Sequence, residues 1–147
     1  MKDTTVKAKA KINAWAKEAI ELQEEFETAM NMAQNHQTRY DSSGDDNERK
    51  SAMRHLGKAW KAAKRIAAIK ESIHWEANAL EKLYLSMLET APPDNIDEAN
   101  LMKADANYFK GVSKKATMER DEFLDVRRKT IARIRQLRLT THSIATA

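Results

Sequence analysis

Apolar residues recur at alternating spacings of three and four along most of this chain. From about Thr4 to Tyr40 the recurring set is Ile12, Trp15, Ala19, Leu22, Phe26, Ala29 and Ala33. Such spacing keeps a single heptad-like stripe on one face of a helix. From about Asn47 to Thr90 the stripe is Ala52, Leu56, Ala59, Ala63, Ile66, Ile73, Ala77, Leu80, Tyr84 and Met87, interrupted by Lys70. A lysine at that place can lay its stem along the seam and keep its ammonium at the edge. A third, looser stripe from about Asn95 to Leu139 contains Met102, Ala106, Phe109, Val112, Ala116, Phe123, Val126, Ile134 and Leu137.

Two breaks separate these segments. In DSSGDDN, residues 41–47, Gly44 supplies a positive φ, and Ser43 or Asp45 can cap the helix that follows. Pro92 and Pro93 end the second helix, and Asp94 or Asn95 caps the third. Helices are expected at about 4–40, 47–90 and 95–139, with a polar tail at 140–147 that leaves the helix. Short links make consecutive helices antiparallel. The expected fold is therefore all-α: one helical domain over residues 1–147, an elongated, coiled-coil-like up-down-up antiparallel three-helix bundle. A shape of that kind leaves much surface exposed and is expected to complete its burial by oligomerising.

Composition agrees with long helices and little else. Charged residues make up 33% of the chain, aromatics only 6%, and there are three Gly and two Pro. The core must be built from Ala, Leu, Ile and Met, and a β-sandwich would need more turns and more β-branched residues. The absence of cysteine excludes disulfides and thiolate metal sites. It fits a reducing compartment, and no apolar run approaches a membrane span, so a cytoplasmic protein, or a particle assembled in the cytoplasm, is expected.

Net charge is +4, but its distribution changes the picture more than its sum. Residues 18–27 hold Glu18, Glu21, Glu24, Glu25 and Glu27 without a base; residues 49–70 and 127–138 hold only bases. Folding about the first turn sets the glutamates beside residues 61–70. Folding about the prolines brings Arg49, Lys50, Arg54 and Lys58 beside Arg127, Arg128, Lys129, Arg133 and Arg135. These nine residues form a candidate basic end for a phosphate-bearing or acidic partner. The alternative is a solvated face whose arginines pair across an oligomer interface.

Candidate chemistry is sparse. Glu71 and His74 have the Glu-x-x-His spacing of carboxylate-bridged metal bundles, but no second copy exists, so no metal or cofactor is expected. Arg49 and His55 match a loose Arg-x5-His spacing of some helical ribonucleases, without an acid placed beside them. Residues 6–20 are amphipathic and lysine-rich, which fits core packing better than a membrane surface. Trp15, Trp60 and Trp75 read as packing anchors. Trp60 and Trp75 lie slightly off the stripe and are candidate interface residues together with Ile20, Met30 and Ile69.

The chain is therefore expected to be a non-enzymatic helical interaction or structural protein. It would act through long helix faces by self-association or with a protein partner. A nucleic-acid-binding accessory protein using the basic end is the alternative, and a metal-dependent helical enzyme comes third. A small, highly charged helical chain without cysteine also suits a component or inhibitor encoded by a virus or mobile element.

Overall fold

A computed structural model describes residues 2–146, with side-chain surroundings for residues 3–140. Three helices account for it: α1 (Lys2–Ser43), α2 (Asp46–Thr90) and α3 (Ile96–Thr146). The fold is all-α, and no strand occurs among the described residues.

Both breaks work by local chemistry. Gly44 takes φ of 70°, and its N–H donates to the Tyr40 carbonyl at 2.7 Å. A left-handed residue after the last turn satisfies an orphan carbonyl and stops the helix. Asp45 then caps α2, its carboxylate accepting from the Asn47 N–H at 2.9 Å. Asn95 caps α3 in the same way, accepting from the Asp97 N–H at 2.8 Å. Of the two pairs of candidate caps, Asp45 and Asn95 do the work. Ser43 instead donates its hydroxyl to the Arg39 carbonyl and accepts from the Asp45 N–H.

Beyond Leu139 the structure departs from the expected tail, because α3 continues to Thr146. No Gly or Pro interrupts this stretch. The Thr140 hydroxyl bonds back to the Gln136 carbonyl at 2.9 Å, which lets a polar side chain stay in a helix. Ala147 lies outside the described residues.

The chain packs as two compact units, and each helix contributes to both. Unit 1 comprises residues 1–19 and 68–120. Its core includes Ile12, Ala19, Ile69, Ile73, Ala77, Leu80, Tyr84, Ala106, Phe109 and Ala116. Here α2 and α3 run antiparallel: Lys70 meets Glu119 at 2.9 Å, and Tyr84 stacks on Phe109 with ring centroids 6.1 Å apart. The pairing of Lys70 keeps its stem in the seam and its ammonium at the edge. Folding midway through the proline link, the register that sets Arg49 to Lys58 beside residues 127–136, would put residue 74 opposite Gly111. In the structure His74 Nδ1 instead lies 2.7 Å from the Ser113 hydroxyl and 2.9 Å from that of Thr117. Helix α3 starts at Ile96 after the link 91–95, and its register on α2 is shifted from the expected one.

Unit 2 comprises residues 20–67 and 121–147. Its three helix segments form a bundle around Ala33, Ala52, Leu56, Ile134 and Leu137, with Met30, Met53 and Ile131 packed against them. Small residues on α1 and α2 let those helices approach closely, so Leu56 and Ile66 become fully buried. Burying a side chain of that size contributes about 2 kcal/mol. Thr130 is buried too, its hydroxyl returned to the Val126 carbonyl at 2.7 Å.

Two candidate interface residues, Ile69 and Met30, are taken up by the core, and one candidate core anchor, Trp75, lies outside it. Ile69 is fully buried and cannot belong to a second exposed face. Met30 packs on the unit 2 core, which leaves Ile20 and Trp75 of that set well exposed, at 61% and 60%. Trp75 is exposed and is not a core anchor: Ser113 and Thr117 close the seam against its neighbour His74. Trp15 and Trp60 are half-buried.

Candidate binding face on helix α2

In unit 2 the buried apolar positions of α2 are Ala52, Leu56, Ala59, Ala62, Ala63, Ile66 and Ala67, joined by Arg49 and His55. Helical periodicity puts the residues between them on the outward side. There the sequence supplies Lys50, Arg54, Lys58, Lys61 and Arg65, spaced by four, four, three and four residues, and Lys64 beside them. All six are exposed. The stripe is roughly 22 Å long at 1.5 Å per residue. No acidic residue interrupts it between Arg49 and Lys70.

The surroundings give this stripe two unlike edges. Toward α1, Lys58, Lys61 and His55 line a groove of about 830 Å³ whose far wall carries Glu21, Glu24 and Glu25. That wall repels an approaching anion. Near the other edge is Trp60, with the Lys64 ammonium 5.3 Å from its ring centre. A lysine over an indole face is held by the ring quadrupole, and it also occupies the surface on which a base would stack.

Structure and sequence agree only in part on the basic residues. Lys50, Arg54 and Lys58 do share a face. Arg49 does not: it is buried, its Nε donating to Asp46 at 2.7 Å and one terminal nitrogen lying 3.1 Å from the Met53 sulfur. Arg133 turns toward α1 and donates to Gln37 at 2.6 Å. Arg128 and Lys129 are exposed but clamp Asp125, an acid one turn ahead of the block that sequence reading treated as purely basic. Those two partners hold the Asp125 carboxyl below its ordinary range, as hydrogen bonds from Arg49 and Lys50 do for Asp46. Arg127 is half-buried and Arg135 exposed. Lys61, Lys64 and Arg65 also belong to the face, and Lys61 lies across the groove from the glutamates, as folding about the first turn implies. Their spacing of three and four from Lys50 was the available signal.

The remaining sequence candidates resolve into packing. Glu71 lies 3.8 Å from Arg120, and His74 is taken up by Ser113 and Thr117. Among the described residues no group of three His, Asp or Glu side chains is arranged to hold a metal ion. His55 stacks on His36, whose Nδ1 donates to Glu48 at 2.5 Å. No described helix is long and apolar enough to cross a membrane. Comparison with protein-family models, with curated proteins and with solved structures gave no match.

Proposed function

We propose that this chain is a non-enzymatic helical interaction protein whose working surface is the outward face of α2, and that this face takes a polyanionic partner. The observation that carries the reading is the exposed stripe from Lys50 to Arg65, six bases with no acid between them in sequence, Lys50 being paired to Asp46 at its start. Lysines and arginines on one straight face add their fields, and a polyanion gains by releasing its counterions to them. Titration of labelled duplex and single-stranded nucleic acid at about 50 and 200 mM salt tests it. Micromolar or tighter binding that weakens steeply with salt is the expected result. No binding at the lower salt overturns the polyanion reading.

A second reading is self-association through unit 1. Leu101 and Tyr108 are 66% and 64% exposed and lie a heptad apart on α3, an apolar pair without cover in the single chain. Sedimentation of the wild type and of Leu101→Lys separates the two. A mass that rises with concentration and falls in the variant supports assembly by this face.

A further inference from the structure

Gly57 stands in the middle of the basic stripe, and nothing inside the protein accounts for it. Its φ is not positive, since Gly44 alone among the glycines has that conformation. A β-carbon built at Gly57 meets no atom within 4 Å, so no neighbouring helix requires its smallness. A glycine inside a helix costs about 1 kcal/mol relative to alanine. The fold would be more stable with a side chain there.

Its neighbours show what the gap serves. Arg54 precedes it by three residues and Lys61 follows by four, so both flank it on the same face. Lys50 and Lys64 lie a heptad to either side. The result is a shallow gap in the side-chain cover, with Gly57 itself half-exposed and four exposed cations along the same face.

We propose that this notch seats the phosphate backbone of double-stranded nucleic acid, with Arg54 and Lys61 gripping it from both sides; the inference deepens the polyanion reading and rests on it. The carboxylates of an acidic protein sit on flexible stems that meet lysine ammoniums well away from the helix axis. They gain nothing from a missing side chain. A phosphodiester carries its charge on the chain itself, so the helix must come close, and glycine is the residue that permits close approach. Duplex is favoured over single strand because the stripe offers no run of open aromatic rings: Lys64 covers Trp60.

The test measures binding of a DNA duplex of about 20 base pairs, longer than the stripe at ~3.4 Å per pair, beside its single strand and polyglutamate. Gly57→Ala should melt higher than wild type, yet bind duplex about tenfold more weakly because the added methyl holds the backbone off. The slope of log affinity against log salt should not change, as no charge is lost. Arg54→Gln with Lys61→Gln should flatten that slope by about two. Gly111→Ala is the control: its β-carbon also meets open space, so stability rises and binding stays as in wild type. Gly57→Ala and Gly57→Leu binding duplex as tightly as wild type would overturn the notch while leaving the basic face intact. Tighter binding of single strand or polyglutamate would overturn the duplex assignment. Wild type that binds none of the three would sink the polyanion reading itself.

Discussion

His36 lies flat against His55, ring centroids 5.4 Å apart and planes within 5° of parallel. His36 Nδ1 donates to the Glu48 carboxylate, which ties the end of α1 to the start of α2. His55 beneath it is buried. That burial comes first, and the charges of Lys58, His36 and Arg54 follow, in holding its pKa below the ordinary value of 6.5.

A pH dependence of stability follows, and its sign is determined. The folded chain binds a proton at His55 less readily than the unfolded chain does, so protonation favours unfolding. The contribution of His55 is fully present above pH 6.5 and is lost as pH falls below it. Asp46 and Asp125, also lowered, act only nearer their ordinary value of 3.8. Urea midpoints should therefore decline as pH drops from about 7.5 to about 5, a window that opens about one unit above the ordinary histidine value and extends below it because the folded value is lowered. His55→Phe should keep the ring stack and flatten that slope; an unchanged slope would assign the dependence to another group.

Leu56 tests the unit 2 core. It is fully buried in the cluster it forms with Ala33, Ala52, Ile134 and Leu137. Leu56→Ala should cost about 3 kcal/mol, and Leu56→Met less than about 1.5 kcal/mol. Chemical denaturation of both variants gives the comparison.

The acidic wall of the α1–α2 groove offers a gain-of-function test. Glu21, Glu24 and Glu25 face Lys58 and Lys61 across that groove. On the polyanion reading, Glu→Gln at all three sites removes repulsion and should tighten duplex binding severalfold at low salt. If these glutamates instead pre-set the lysines for a partner, binding weakens. Equal affinity would place the ligand away from this edge.

What sequence alone determined here is local. Heptad spacing, one glycine able to take positive φ and a proline pair specify three helices and two links, because each depends on residues a few positions apart. Lys70 in the seam was legible for the same reason: a long stem with a charged tip has one way to lie on an apolar stripe. Register was not. Helix α3 is shifted along α2, so His74 meets Ser113 and Thr117 and not Gly111. Rotation about each helix axis and the partners within reach decided which charges are open. Arg49 is drawn inward to Asp46 and Met53, Arg133 turns to Gln37, and Lys61 and Lys64 remain outside. Charge blocks in sequence count residues, whereas a binding face depends on the direction of each side chain, and only packed helices set that direction.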